Sequence, residues 1–276
     1  MDAMGWGNYA NDHEDANGQF EQNFQYADAL TTSDRLIILR LMMHTLARRQ
    51  GLYATFMPKP FADKTGNGLH MHLSLWSADG DEPLFETDHD ARGLGLSELA
   101  YQFLGGVLDH AQALTAILCP TVNSYKRIWG GDEAPSYVTW GHNNRSALMR
   151  VPLYKPGKGQ SARVEYRGVD SAANPYLAYS LLLAAGLKGI EEGYDLPREA
   201  EDDVWSLTER ERTSLGIKPL PKNLNDAISV AEDSELLAET LGEQVFDFFL
   251  RNKRAEWDEY RGQVSAFERD RMLPVL

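Results

Sequence analysis

A chain of 276 residues with a net charge of −14 repels polyanions, which argues against nucleic acid or an anionic membrane as its main partner. Its single cysteine, Cys119, excludes an internal disulfide and fits a reducing compartment. No apolar run reaches the roughly 18 residues of a membrane-spanning helix and no signal-peptide pattern opens the chain, so the sequence predicts a cytoplasmic protein.

Hydrophobic periodicity and turn residues predict the following elements in chain order: an irregular segment over 1–26, a helix over 32–49, a strand over 53–57, a strand over 70–76, a helix over 97–118, strands over 138–140, 147–151 and 162–167, a helix from 175 toward 193, and helices through much of 223–271. Ser33 or Asp34 is expected to cap the first helix. Asn174 followed by Pro175 is a typical cap and first-turn pair. Cys119 ends an apolar helix and is expected to be a small buried side chain rather than a nucleophile.

The order of these elements indicates the fold class. The strands are separated irregularly by helices, turns and long loops, so repeated βαβ units are not favoured. We therefore expect an α+β fold with a mainly antiparallel sheet, built as one domain because no composition change marks a boundary.

The strand over 70–76 places His70, His72 and Ser74 on one face and apolar residues on the other. The glycines of the preceding segment, Gly66 and Gly68, permit close approach of the backbone to a ligand. Taken alone, the pair of histidines fits an exposed sheet face without function at least as well as a binding site.

The strand over 162–167 alternates in the same way and puts Glu165 between Arg163 and Arg167. A surface ladder of ion pairs is one interpretation, and such ladders stabilise little. The other is a metal-ligating carboxylate flanked by arginines that bind phosphate or carboxylate groups bidentately.

Residues 13–21 form a dense cluster of oxygen donors that contains Glu14 and Glu21. Such donors suit Mg²⁺ or Mn²⁺, but an acidic, flexible segment is an equally good interpretation of the composition. The two glutamates are seven residues apart and converge only if a turn at Gly18 reverses the chain.

Two loops add further candidates. The glycine-rich segment 130–135 contains Asp132 and Glu133 and resembles a mobile flap, whereas segment 143–150 contributes Arg145 and Arg150. Together the chain offers the groups needed for metal-assisted phosphoryl transfer. The sequence contains neither a P-loop motif nor GxGxxG.

Several of these blocks, in this order, resemble motifs of the glutamine synthetase family. The matching blocks are Phe56-Met57-Pro58-Lys59-Pro60, Gly66-Asn67-Gly68-Leu69-His70-Met71-His72-Leu73-Ser74, Asn123-Ser124-Tyr125-Lys126-Arg127, Glu133-Ala134-Pro135, Asn144-Arg145-Ser146, Arg163-Val164-Glu165-Tyr166-Arg167 and Asn174-Pro175-Tyr176-Leu177-Ala178. The resemblance covers nearly the whole chain. It implies the family's C-terminal catalytic domain over 1–276, with a curved, mainly antiparallel sheet flanked by helices. The N-terminal β-grasp domain and the first catalytic strands, with their Glu-x-Glu metal ligands, are expected to be missing.

The resemblance also implies site residues. The implied ligands of Mg²⁺ or Mn²⁺ are Glu14, Glu21, His70 and Glu165. The implied ATP contacts are His72, Ser74, Arg145, Arg150 and Arg163. The implied contacts to L-glutamate are Gly66, Arg127, Glu133, Arg145 and Arg167. Glu133 and Arg145 take the catalytic roles in this scheme.

The implied activity is ATP-dependent ligation of ammonia to the γ-carboxylate of L-glutamate through γ-glutamyl phosphate, in a ring-shaped homo-oligomer. Thr65 departs from the family pattern near the implied glutamate site. Trp129 and Asp132 in the flap, together with the form of segment 12–19, resemble relatives that ligate glutamate to bulkier amines such as a polyamine, ethanolamine or methylamine. A catalytically inactive fragment and a metal-dependent phosphohydrolase are the remaining alternatives. We expect the chain alone to bind metal weakly.

Overall fold

The computed structural model describes residues 1–131, 133–154 and 158–276. Its strands are β1 (Asn8–His13), β2 (Phe20–Phe24), β3 (Met71–Leu73), β4 (Tyr137–Val138), β5 (Trp140–His142), β6 (Met149–Val151), β7 (Val164–Tyr166) and β8 (Lys218–Pro219). Its helices are α1 (Ala29–Arg49), α2 (Glu98–Leu118), α3 (Ser124–Trp129), α4 (Pro175–Glu192), α5 (Glu209–Ser214), α6 (Leu224–Glu232), α7 (Glu235–Arg261) and α8 (Ala266–Met272). None of the helices in the described part combines the length and apolarity that crossing a lipid bilayer requires.

A sheet with the strand order β3-β7-β6-β5 lies at the centre of the domain. The β3–β7 and β6–β7 pairs are antiparallel, whereas β5 and β6 run parallel. Its apolar face is closed by Met71, Leu73, Val164 and Tyr166, all buried. Because side chains alternate along a strand, the residues between them point to the opposite, polar face. The expected α+β fold with a mainly antiparallel sheet is confirmed.

Helices α2 and α4 pack closely on one another, and two glycines allow this approach. A Cβ atom on Gly106 would lie 2.2 Å from the carbonyl oxygen of Ala185 and 2.7 Å from Cα of Gly189. With glycine at both positions, the two backbones meet where any larger side chain would hold them apart. The apolar side chains of α6 and α7 complete this helical layer of the core.

Side-chain caps define where the helices begin. Asn174 caps α4, as the sequence predicts, and Ser97 caps α2. The cap of α1 is Asp28, whose side chain accepts a hydrogen bond from the Thr31 amide at 2.9 Å, so the prediction of Ser33 or Asp34 was wrong. Ser33 instead donates to the Ala29 carbonyl inside the helix, and Asp34 accepts from the Tyr176 hydroxyl.

Two other local predictions were also wrong. Residues 1–26 are not irregular throughout, because β1 and β2 form an antiparallel hairpin there. Residues 53–57 do not form a strand, since the Met57 carbonyl accepts a hydrogen bond from the Asn67 side chain rather than from a neighbouring strand. A side-chain partner satisfies this carbonyl as well as a strand would.

Candidate active site

The polar face of the central sheet brings the predicted residues of three strands together. Glu165 of β7 is paired in register with His72 of β3 on one side and with Arg150 of β6 on the other. Glu165 is 1% exposed, and Arg150 keeps a partly open side chain. The two strand faces inferred from alternation thus form one surface.

Glu165 lies among three cationic or potentially cationic groups. Arg167 Nη1 donates to Oε1 at 3.0 Å, Arg150 Nε lies 2.5 Å from Oε2, and His70 Nδ1 lies 3.4 Å from Oε1. Burial favours the neutral acid, but the neighbouring His72, Arg150 and Arg167 outweigh it and lower the pKa of Glu165. The carboxylate is therefore ionised at neutral pH.

Three buried polar atoms of this cluster lack a hydrogen bond within the described residues: Glu165 Oε2, Arg150 Nε and Arg167 Nε. Native proteins rarely leave such atoms unsatisfied, because an unmade buried hydrogen bond costs about 1–3 kcal/mol. An oxygen acceptor and two guanidinium donors that share one surface are suited to a ligand with both positive and negative groups. A metal ion with bound phosphate has this character.

The two histidines occupy different surroundings. Burial, followed by the charge of Arg167, lowers the pKa of His70 to about 3, so its ring is neutral at physiological pH and available as a ligand or acceptor. His72 is exposed, and its Nδ1 accepts a hydrogen bond from Arg163 Nε at 3.2 Å. Ser74 lies one step further along and accepts from Trp76 Nε1 at 3.2 Å.

The β1–β2 hairpin carries the other two predicted metal ligands. Gly18 has a φ of 79°, and the turn around it reverses the chain so that Asp12 pairs with Glu21. Burial, then the charges of Glu21, Asp12 and Asp15, raises the pKa of Glu14. The reversal that the sequence required is therefore present, and it concentrates negative charge near Glu14.

The predicted metal ligands form two pairs, Glu14 with Glu21 and His70 with Glu165. The parts of the chain that the structure describes hold no group of three or more His, Cys, Asp or Glu side chains close enough for a metal ion. Mg²⁺ typically takes one or two protein carboxylates and fills its other positions with water and substrate phosphates. Each pair, and the unsatisfied Glu165 Oε2 in particular, fits this mode of binding.

Arg127 and Gly66 lie in contact beside the sheet. Arg127 is 7% exposed and donates to the carbonyls of Gly168 at 3.2 Å and Arg167 at 3.3 Å. A Cβ atom on Gly66 would lie 2.6 Å from the Pro58 carbonyl oxygen and 2.9 Å from Arg127 Cγ. Only glycine permits this approach, and the loop at Gly66 fixes where the guanidinium is held.

Arg145 is exposed, and the structure places it near the hairpin, because its charge opposes the rise in the pKa of Glu14. It follows Asn143, which has a left-handed φ of 53°. Glu133 is also exposed, and within the described residues it makes no hydrogen bond or ion pair. Asp132 of the expected flap lies outside the described residues.

Three polar residues near the site were not predicted from the sequence: one is buried, and two use all the hydrogen-bonding groups of their side chains. Gln19 and Asn144 each use all of their side-chain amide groups in hydrogen bonds, as described below. Asp170 is fully buried beside Ser124 and Arg127, and burial raises its pKa despite their opposing effect. No local periodicity marks these positions, since their partners are distant in the chain.

A cleft of about 610 Å³ lies between α3 and the segment 57–62. Its walls include Lys59, Lys126 and Trp129, and none of the predicted site residues lines it. The candidate chemistry therefore belongs to the sheet face, where Glu165 is buried and Arg150 is partly open, rather than to this cleft.

A mixed α/β domain whose sheet gathers arginines, histidines and a buried carboxylate on one face has the groups to hold anions. Residues 1–272 match the family model of the glutamine synthetase catalytic domain, and the chain belongs to this family.

Curated relatives support the same assignment. The chain is 50% identical over 256 residues to a glutamine synthetase of Mycolicibacterium smegmatis, covering 93% of this chain and 56% of the relative. It is 44% identical over 273 residues to a glutamine synthetase of Halobacterium salinarum, covering 99% and 59%.

Solved structures show the same fold. A structure of GmaS without ligand superposes with a TM-score of 0.88 at 48% identity, covering 99% of this chain and 60% of that one. A GmaS complex with ADP gives 0.89 at 47%, covering 99% and 61%. The chain thus spans about 60% of the length of these relatives.

Proposed function

We propose that this protein ligates an amine to the γ-carboxylate of L-glutamate at the expense of ATP, with ammonia as the amine. The observation that carries the proposal is the ionised Glu165 beside Arg150 and Arg167, with unsatisfied buried atoms on all three side chains. Such a cluster is suited to a metal-bound phosphate. The GmaS complex with ADP is a relative that holds a nucleotide on the same fold.

The residues proposed to contact ATP and glutamate form two sets that share Arg145. ATP contacts His72, Ser74, Arg145, Arg150 and Arg163. Glutamate is held by Gly66, Arg127, Glu133, Arg145 and Arg167. Mg²⁺ or Mn²⁺ is held by Glu14, Glu21, His70 and Glu165 and, when bound, neutralises the charge of the transferred phosphoryl group.

The proposed reaction has two steps. An oxygen of the glutamate γ-carboxylate attacks the γ-phosphorus of ATP, ADP leaves, and γ-glutamyl phosphate forms. The amine nitrogen then attacks the acyl carbon, and the bond from this carbon to the phosphate oxygen breaks. Arg150 and Arg167 oppose the negative charge of the phosphoryl group, because guanidinium groups bind phosphate bidentately.

Glu133 is proposed to remove the proton that the amine must lose. Ammonium is not a nucleophile, so a carboxylate near the acyl carbon provides general-base catalysis. The side chain is exposed within a glycine-rich segment, which fits a residue that approaches the reaction only when the segment closes.

The choice of amine separates the two leading versions of this proposal. Glutamine synthetases of M. smegmatis and H. salinarum support ammonia, whereas the changes in the flap and the form of segment 12–19 motivate an organic amine. Phosphate release from ATP with glutamate and ammonia, methylamine, ethanolamine or spermine distinguishes them. Ammonia-dependent release supports the first version, and release only with an organic amine supports the second.

The same assay can overturn the proposal. Release that does not require glutamate would favour a phosphohydrolase, and no release with any amine would favour a catalytically inactive chain. Glu165→Gln serves as the matched negative control, because it keeps the size of the side chain and removes its charge.

The proposed assembly is a homo-oligomeric ring. Helix α1 exposes the apolar side chains of Ile37, Ile38, Leu41 and Leu46, which lie along one stretch of the helix. An exposed apolar face of this kind is typical of a protein–protein interface. Light scattering of the purified protein tests it, and a monomer at micromolar concentration would contradict it.

A further inference from the structure

The side-chain amide of Gln19, in the turn of the β1–β2 hairpin, makes four hydrogen bonds. Its Nε2 donates to the Gly66 carbonyl at 3.0 Å and to Asn67 Oδ1 at 2.9 Å. Its Oε1 accepts from the Thr65 hydroxyl at 2.6 Å and from the Ala16 amide at 3.3 Å. Both donors and both acceptor positions of the amide are therefore used.

Three of these bonds join two segments that are 46 to 48 residues apart in the chain. One segment is the hairpin turn, in which the Gln19 carbonyl also accepts a hydrogen bond from the Glu14 amide at 3.0 Å. The other is the loop at Gly66, which packs on Arg127. Gln19 thus lies between the carboxylates of the hairpin and the guanidinium of the proposed glutamate site.

The loop at Gly66 is itself firmly held. The Asn67 amide donates to the Pro58 carbonyl at 2.8 Å, and its side chain donates to the Met57 carbonyl at 2.8 Å. Ser171 donates to the Asn67 carbonyl at 3.1 Å. By contrast, the hairpin is a two-stranded ribbon, and an isolated ribbon of this kind is marginally stable in water. The loop at Gly66 is therefore the more firmly held of the two segments, and its hydrogen bonds to Gln19 hold the hairpin in position.

We infer that Gln19 is a positioning residue that fixes the hairpin, and with it Glu14 and Glu21, over the loop at Gly66. This inference rests on the proposed function, because it assigns the two carboxylates to a metal and Gly66 to glutamate. A carboxylate at position 19 would keep the two accepting contacts but could not donate to Gly66 or Asn67. The neutral amide is therefore required, rather than any polar side chain of this length.

The same geometry gives Thr65 a role. Its hydroxyl donates to Gln19 Oε1. It therefore supports the hydrogen bonds by which Gln19 joins the hairpin to the loop at Gly66, which we call the Gln19 clamp. Thr65→Val keeps the shape of the side chain and removes one of the four bonds, whereas Gln19→Met keeps its length and removes all four. A clamp predicts graded effects, with Gln19→Met more severe than Gln19→Glu, and Gln19→Glu more severe than Thr65→Val.

The test uses the whole chain and three measurements. Gln22→Met is the matched control, because Gln22 lies on the same hairpin and, within the described residues, its side chain bonds only to the carbonyl of the adjacent Glu21. Hydrogen exchange reports opening at the amides of Glu14, Ala16 and Gln19. Titration with Mn²⁺ reports metal affinity, and steady-state kinetics separate kcat from the KM for glutamate.

The clamp predicts that in Gln19→Met the hydrogen-exchange rates of these amides are roughly tenfold higher than in the wild type, because several hydrogen bonds are lost. It also predicts Mn²⁺ affinity and kcat that are roughly 10–100-fold lower, the range seen when a partner that orients a metal ligand is removed. Gln22→Met stays at the wild-type values. Gln19→Met with wild-type exchange and wild-type Mn²⁺ affinity would overturn the inference.

Failure of the proposed function gives a different result. In that case the wild-type protein forms no γ-glutamyl product with any amine, while the exchange difference between Gln19→Met and Gln22→Met persists. If this difference is absent, the clamp is refuted whether or not the protein is a ligase.

Discussion

Arg150 Nε and Glu165 Oε2 lie 2.5 Å apart, but neither atom makes a hydrogen bond within the described residues. The contact is an ion pair whose charges attract while its directional bonding capacity remains unused. Arg167 Nη1, by contrast, donates a hydrogen bond to the other oxygen of Glu165 at 3.0 Å. Glu165 therefore compensates the charges of two arginines at once.

Glu165→Gln is predicted to destabilise the protein and abolish ligation. It leaves Arg150 and Arg167 without a compensating charge on a largely buried surface, and removing one partner of a buried ion pair costs on the order of 3 kcal/mol. Urea unfolding measures the change. The control is Glu201→Gln, whose partner Arg198 is exposed, so its effect should stay within about 0.5 kcal/mol. Equal effects of the two variants would contradict the account.

Gly66→Ala is predicted to raise the KM for glutamate by about tenfold or more, equivalent to about 1.4 kcal/mol of binding free energy. The added Cβ would collide with the Pro58 carbonyl and with Arg127, so the guanidinium must move. Steady-state kinetics with varied glutamate measure it. Gly262→Ala is the control, because the nearest atom to its added Cβ would lie 3.5 Å away. An unchanged KM for Gly66→Ala would refute the proposed position of glutamate.

Asn144→Ala is predicted to release the loop that carries Arg145. The Asn144 side chain donates to the carbonyls of Ala200 at 2.7 Å and Asp202 at 3.0 Å, and it accepts two hydrogen bonds from Ser146. Losing these bonds should cost about 2 kcal/mol of stability and weaken ATP binding. Thermal unfolding and nucleotide titration measure the two effects. Asn252→Ala, on the exposed side of α7, should change neither quantity. Unchanged stability and nucleotide affinity in Asn144→Ala would show that these hydrogen bonds do not hold the loop in place.

Cys119 is predicted to resist thiol reagents at pH 8 until the protein unfolds. It is 2% exposed and its Sγ donates to the Gly168 carbonyl at 3.1 Å, as expected for a small buried side chain rather than a nucleophile. Burial raises the pKa of the Cys119 thiol well above its ordinary value of 9.0. Stoichiometric labelling of the native protein at pH 8 would contradict this prediction.

The same pKa shift predicts a loss of stability at alkaline pH. Above pH 9.0 the unfolded chain releases the thiol proton while the folded chain keeps it, so the unfolded state binds fewer protons and the free energy of unfolding falls as pH rises. Between its pKa in the unfolded and in the folded state, the thiol lowers the free energy of unfolding by about 1.4 kcal/mol per pH unit. Urea unfolding from pH 8 to 10 should show a shallower fall for Cys119→Ala, and identical slopes would refute the assignment.

The sequence predicted those parts of the site that follow local periodicity. Alternation placed His70 and His72 opposite a buried face, and it did the same for Glu165, because the side chains of a strand must alternate. The cap at Asn174 was also recognisable, since a capping side chain acts on amides two or three residues away.

Features that depend on distant partners were not predictable in this way. The β1 strand, Asn8–His13, contains few β-forming residues, and its pairing became visible only in the folded hairpin. The four bonds of Gln19 and the burial of Asp170 leave no periodic signal, because their partners lie in other segments. Residues 53–57 look like a strand locally, but a side chain takes the place of a neighbouring strand.

The most direct test of the central claim follows an oxygen atom from glutamate to phosphate. The protein is supplied with ATP, ammonia and glutamate carrying ¹⁸O in the γ-carboxylate, and the released phosphate is analysed by mass spectrometry. Attack of the carboxylate on the γ-phosphorus predicts one ¹⁸O atom in each phosphate released. Phosphate without the label, released at a rate independent of glutamate, would contradict γ-glutamyl phosphate as the intermediate and the ligase assignment with it.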